Sequence, residues 1–257
     1  MWYFMAGMEQ HFKQISGDKC DFGLTTFYKI GSQAKFEKSM EYVNHMLVDS
    51  GAYSFRHGAK APDFDAFCND YAAFIKRNND NPKIVGFFEL DIDNIVGYEK
   101  VLEYRKKLES VSDKIIPVWH NNRGIKEFYK MCESHKGRRV AVATVGWHDM
   151  HPKQLNLFIN TAHKFGCKIH VLGMTSKEVL ETCNLGLEDS FDSVSWALAS
   201  AFSNVKLNTY DNHTFTFSES FGRLPGVSSP YMNVINYLSH RKIQEYYKHI
   251  DKSVEVE

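Results

Sequence analysis

Short runs rich in β-branched and aromatic residues recur along the chain, with longer amphipathic stretches between them. WYFMA (2–6), GLTTFYK (23–29), MLVDS (46–50), KIVGFFELD (83–91), KIIPVWH (114–120), RRVAVATVG (138–146), KIHVLGM (168–174) and SFDSVSW (190–196) have strand character. Segments of helical period lie at 63–78, 98–110, 124–135, 152–165 and 176–184, and Asp63 and Thr175-Ser176 stand where N-caps belong. Strands alternating with helices argue for parallel βαβ units, and eight of them predict an α/β fold, the (β/α)8 TIM barrel. A doubly wound open sheet is the structural alternative. Past residue 197 the pattern changes. HTFTFS (213–218) alternates like an exposed strand, GRLPGVSSP is loop-like, and 230–249 reads as an amphipathic closing helix. No repeat, low-complexity tract or linker divides the chain. The expected organisation is one domain over 1–257, a barrel to about residue 200 and a C-terminal strand, loop and helix appendage over about 201–257.

In such a barrel the chemistry sits at the C-terminal ends of the strands. Polar and small residues collect there: Asp49 on the third strand, Asp91 on the fourth, His120 on the fifth, Gly146 on the sixth, Gly173 on the seventh and Asp192 within the eighth. The two-residue strand period puts Glu89, Asp91 and Asp93 on one face and Phe88, Leu90 and Ile92 on the other. The acids are therefore expected to point into the barrel mouth, where an unpaired carboxylate is costly. Any one Asp at a strand end is most simply a turn cap, and a lone His or Gly is an ordinary packing or turn residue. Three acids and a His on four strands at one barrel end predict a pocket instead.

Composition narrows the partners. Lys plus Arg and Asp plus Glu number 31 each, so no global positive field announces a nucleic acid, and any grip on phosphates must be local. The five cysteines (Cys20, Cys68, Cys132, Cys167, Cys183) are scattered, which argues for reduced thiols and a cytoplasmic setting and against a Cys-based zinc site. None of the twelve histidines forms an HxxxH pair, so no metal is expected. Met1 to Gly7 is apolar but lacks the basic flank and length of a signal peptide or membrane span.

Four segments resemble one family. LVDSGAYSF (47–55) resembles the DSGG(F/Y)Q region of the tRNA-guanine transglycosylases, FFELDID their FDE segment, KIHVLGMTSKEVL their HLMGVG segment, and SFDSVSW the segment that carries their nucleophile. They occur in the family's order over roughly 46–196, and the variants DSGAYS and DSVSW are similar to the shorter relatives that put 7-deazaguanines into DNA. The resemblance implies a pentosyltransferase that replaces guanine with a 7-deazaguanine derivative, such as a preQ0-like base, with no cofactor. Asp192 would be the nucleophile that holds a covalent glycosyl intermediate, and Asp49 the general acid/base. Asp91 would recognise the base, its two oxygens matching guanine's N1–H and amino group. Ser50, Gly51, Tyr53, His120, Gly146, Leu172 and Gly173 complete the expected base pocket, Gly51 by admitting a flat ring closely and Tyr53 by stacking on it.

The chain also departs from the family. Its Gln at the end of the fifth strand is replaced in PVWHN, its second glycine is Ala52, and its zinc-binding cysteines are missing. The last departure leans towards DNA as the polymer, tRNA being the alternative, within the cytoplasm of the cell (the host's, for a viral protein). A base inside a duplex must leave the stack. Arg56, Lys60, Arg123 and Arg223 are the expected backbone-gripping rim, with an accessory subunit as a further source of grip. A non-catalytic base-binding subunit and an unrelated barrel glycosidase using paired carboxylates are the readings from other classes.

Overall fold

The computed structural model describes residues 1–8, 19–143, 151–174, 176–202, 204–211, 214–220 and 222–254. Nine strand segments, β1 Trp2–Ala6, β2 Cys20–Thr26, β3 Val43–Asp49, β4 Ile84–Phe88, β5 Ile115–Ile116, β6 Val118–Trp119, β7 Arg139–Ala143, β8 Lys168–Leu172 and β9 Ser190–Ser193, form one sheet. Its order is β5-β4-β3-β2-β1-β9-β8-β7-β6, and every pairing is parallel. β5 and β6 are two halves of one run broken at Pro117, which has no N–H to give to a ladder. The first half pairs with β4 and the second with β7, so the run closes the sheet. The result is the predicted α/β barrel with helices between its strands.

Neighbouring strand residues fall on opposite faces of the wall. Leu47, Phe88, Ala141, Phe4 and Phe22 belong to an interior cluster, whereas Met46, Val48, Phe87, Val140 and Val142 pack outward against the helices. The outer contacts come from amphipathic helices such as Phe64–Asn78, whose N-cap Asp63 accepts from Asp65 and Ala66 N–H as its sequence predicts.

Several strands end earlier than their apolar runs suggest. The 23–29 run is a strand over Cys20–Thr26 and then winds into the short helix Phe27–Ile30. SFDSVSW gives up its strand at Ser193 to the helix Ser195–Ala201. The predicted end of the sixth strand, with Gly146, lies outside the described residues.

The 83–91 run stops at Phe88, and this changes the acids. Glu89 does not share a face with Asp91. Its carboxylate takes the place of a ladder partner at the β4–β6 seam, accepting Val118 N–H at 2.9 Å. It also receives Arg105 Nε at 2.5 Å and Nη2 at 3.2 Å, and Arg123 Nη1 at 3.0 Å. Asp93 joins the same cluster through Arg123. Period-two reasoning fails there because the extended backbone has already ended.

The β1–β2 seam uses a second side-chain device. Its register covers only Met5↔Gly23 and Ala6↔Leu24. Lower down, Gln244 on the helix Ser229–Tyr247 bridges the gap: Nε2 donates to Tyr3 O at 2.9 Å and Phe22 O at 2.6 Å, and Oε1 accepts Asp21 N–H at 3.2 Å. Gln244 is fully buried, so Gln244→Leu strands two buried carbonyls and the part-buried Asp21 N–H. We expect a loss of roughly 2–4 kcal/mol in a urea melt, with the barrel otherwise intact. The closing helix also packs on Ser195–Ala201 and on a two-stranded antiparallel hairpin, β10 Lys206–Asp211 and β11 Thr214–Ser220. Among the described residues no helix is long and apolar enough to cross a membrane.

Candidate active site

Three carboxylates meet at the C-terminal end of the barrel, and each is held by one oxygen. Asp49, the last residue of β3, accepts Gly51 N–H on Oδ1 at 2.6 Å. Asp91, just past β4, accepts Arg56 Nη2 at 2.8 Å and faces His120 Nε2 at 2.7 Å, both on Oδ2. Asp192 on β9 accepts Gly173 N–H at 2.8 Å and faces His170 Nε2 at 3.2 Å, both on Oδ1. The second oxygen of each has no hydrogen-bond partner among the described residues. The mouth thus presents three unengaged carboxylate oxygens on fixed side chains.

Their charges interact. Burial and the neighbouring Asp91 charge push the Asp49 carboxyl from its ordinary 3.8 up to about 7; Asp192 adds to this, while the Gly51 N–H and the Arg56 charge oppose it. The folded state therefore holds this proton more tightly than the unfolded chain. Ionising Asp49 costs stability progressively as the pH rises from about 4 to about 7. Asp49→Asn, which keeps the acceptor for Gly51, is expected to be more stable than wild type at pH 8 by up to roughly 4 kcal/mol. Thermal melts across that range should show the gap closing towards pH 4.

A buried hydrogen-bonded chain stands behind Asp192. Arg139 Nη1 donates to Ser190 Oγ at 2.7 Å, and Ser190 Oγ lies 2.8 Å from His170 Nδ1. Burial holds the His170 imidazole below its ordinary pKa, so the ring is neutral. One tautomer satisfies every group: Nε2–H donates to Asp192, Nδ1 accepts the Ser190 hydroxyl proton, and Ser190 Oγ accepts from Arg139. This chain fixes the orientation of Asp192 from below.

Other expected residues fall into several places. Gly51 has φ +101°, and a Cβ there would lie 2.4 Å from Tyr28 Cβ, so the glycine is required by Tyr28 rather than by a flat ligand. Ser50 is fully buried and its hydroxyl caps Ala52 N–H. Tyr53 is half exposed and stacks on His57 with ring centroids 3.9 Å apart. Leu172 and Gly173 end the β8 segment at the mouth, Leu172 against the interior cluster. Asp91 has one unengaged oxygen, Oδ1, not the pair expected for guanine's N1–H and amino group, because Arg56 and His120 occupy Oδ2.

The expected basic rim is corrected in two positions. Arg123 is buried, with its guanidinium committed to Glu89, Asp93 and the Val118 carbonyl. Arg56 turns inward to Asp91, and its Nε is buried without a partner among the described residues. Lys60 and Arg223 are exposed. The alternation of KIHVL held a signal for His170, which lies opposite Ile169 and Val171 on a buried strand.

The five cysteines are buried and none is in a disulfide, and among the described residues no three His, Cys, Asp or Glu side chains form a metal-holding group. A cavity of about 400 Å³ lies between Phe27–Gln33 and the helix Phe64–Asn78, and none of the three carboxylates lines it. No protein-family model matches the sequence, and no curated protein does. Among solved structures the chain is similar to a structure described as that of a novel GH10 endoxylanase retrieved from sugarcane soil metagenome. The identity is 10%, the TM-score 0.46, and the alignment covers 92% of this chain and 96% of that one. A likeness at that level says nothing about chemistry.

Proposed function

We propose that the protein is a base-exchange transglycosylase that replaces guanine in DNA with a 7-deazaguanine derivative at this mouth. The observation that carries the reading is the unequal setting of two carboxylates. Asp49 is pushed up to about 7, while Asp192 is pinned by a backbone N–H and a ring N–H and offers its free Oδ2. The Asp192 carboxylate attacks C1′ as the C1′–N9 bond breaks, and the departing base takes the Asp49 proton. The incoming base returns a proton to Asp49, attacks C1′ and releases Asp192, so the cycle is redox-neutral and closed in protons. A pKa near neutrality suits Asp49 to both directions. Asp91 Oδ1, left open by Arg56 and His120, supplies an acceptor for the base edge. Lys60 and Arg223 remain as candidates for phosphate contact.

The direct test supplies labelled guanine or a labelled 7-deazaguanine together with duplex DNA or tRNA and follows label into polymer. Uptake into DNA supports the reading, and uptake into tRNA alone moves the same chemistry to RNA. Uptake into neither removes it, leaving a base-binding subunit, or a glycosidase if sugar polymers are cleaved. With DNA as substrate, base release should decline above about pH 7 as Asp49 loses its proton.

A further inference from the structure

A second polar centre lies at the opposite end of the barrel. A cavity of about 240 Å³ opens at the N-terminal ends of the strands, and its lining includes Trp2, Lys114, Arg138, Arg139, Lys168 and Glu188. Counting all its lining residues, four cations face two carboxylates, Asp113 and Glu188. Glu188 is taken by Lys168 at 2.8 Å.

Arg139 is the unusual member. It is 8% exposed and has no carboxylate within salt-bridge distance among the described residues. The nearby Asp189 is committed elsewhere: its oxygens accept Ile169 and Gly186 N–H and face His163 Nε2. Arg139 spends one N–H on Ser190 Oγ and lies over the Trp2 ring at 5.3 Å. A guanidinium has five N–H donors. None of the remaining four has a protein acceptor among the described residues, and none is sealed off from the cavity as a buried orphan. Burying a cation without a counter-charge costs several kcal/mol, and stacking on one indole returns only part of that.

We propose that this cavity binds a phosphate-type oxyanion, with Arg139 as its buried anchor. Two parallel N–H groups of a guanidinium fit two oxygens of a phosphoryl group, and the surplus positive charge of the lining supplies the missing counter-charge. Arg138 stands at the rim, half-buried, with one weak tie to Ser134 O at 3.4 Å. The site is separate from the carboxylate mouth but joined to it, because Arg139 is the first member of the chain through Ser190 and His170 to Asp192. The ligand is free phosphate or the phosphoryl group of a larger monoester.

Inorganic phosphate is titrated into the protein at constant ionic strength with chloride, and stability and the Arg Nε–Hε signals in ¹⁵N spectra are followed. At a hundredfold excess over Kd the melting temperature should rise by roughly 5–10 °C, and the Arg139 signal should shift saturably. Glycerol phosphate in a parallel arm separates the sources: tighter binding than phosphate indicates a monoester ligand, weaker binding the free ion. Arg139→Gln should abolish the effect, and Arg139→Lys, which keeps the charge but loses the fork, should weaken binding tenfold or more. If Arg139→Gln fails to fold, the wild-type Arg139 signal and the Lys variant decide. Stabilisation no greater than with chloride, an unmoved Arg139 signal, or undiminished binding by Arg139→Lys would each overturn the proposal.

Discussion

Asp192→Asn is expected to lower base exchange by roughly four orders of magnitude or more while leaving the fold in place. An amide cannot form the glycosyl ester, so the first half of the proposed reaction has no nucleophile. Its carbonyl oxygen still accepts from Gly173 N–H and from His170 Nε2–H, the two bonds that anchor Oδ1 in the wild type. The variant should therefore melt within about 1 kcal/mol of the parent. Trapping with labelled DNA provides a second readout: a denaturation-resistant adduct forms with wild type and is missing with the variant. An Asn variant that turns over normally would remove Asp192 from the mechanism. His170→Gln offers an informative contrast, because it disturbs how Asp192 is held without removing it, and an activity loss smaller than that of Asp192→Asn is expected.

The largest stability effect is expected from Glu89→Ala. Glu89 is fully buried, and its removal leaves the buried Arg105 guanidinium without its carboxylate and Arg123 with Asp93 alone. Val118 N–H is left without an acceptor. Breaking such a cluster from one side costs about 3–5 kcal/mol, a fall in melting temperature on the order of 10 °C. Replacing all four charged members together, Glu89→Leu and Asp93→Asn with Arg105→Met and Arg123→Met, should recover part of the loss, because the desolvation penalty disappears with the charges while Val118 N–H stays without its acceptor. The cluster also marks the acid limit of the fold. Burial raises the Glu89 carboxyl, but the two arginines outweigh it and hold the group below its ordinary value. The stability it contributes is present above the unfolded pKa and is lost as the pH falls through the lower folded one.

The barrel was legible because its signal is repetitive: eight apolar runs separated by helical period survive errors of a few residues at each end. Asp49, Asp91, His120 and Asp192 were legible for the same reason, since strand ends in a parallel barrel point one way. What side chains do after a strand has ended was not. Glu89 and Asp91 are two residues apart, yet one pairs with helix arginines and the other with Arg56 and His120, because the extended backbone stops at Phe88. Arg123 reads as a surface charge after PVWHN; that it is the partner of Glu89 and Asp93 is a long-range fact no local pattern contains. Gly51 was read for what it would admit, while its constraint comes from Tyr28, 23 residues earlier in the chain. His170 was readable in the alternation of its strand, but its importance depends on Ser190 and Arg139, which only the closed barrel brings together.

The Gln244 bridge makes the β1–β2 seam hostage to the order of synthesis. Its bonds to Tyr3 and Phe22 span 241 and 222 residues, among the longest-range contacts in the chain. β1 also waits for β9, with Trp2 paired to Ser190. At about 5–20 residues per second, the first strand spends roughly 10–45 s with one edge open while the rest is made. Closing that seam is a high-contact-order event, so it should be a late and slow step in refolding. Mutations at Gln244 would then show themselves as a yield of aggregated chain before they show as a change in the finished barrel.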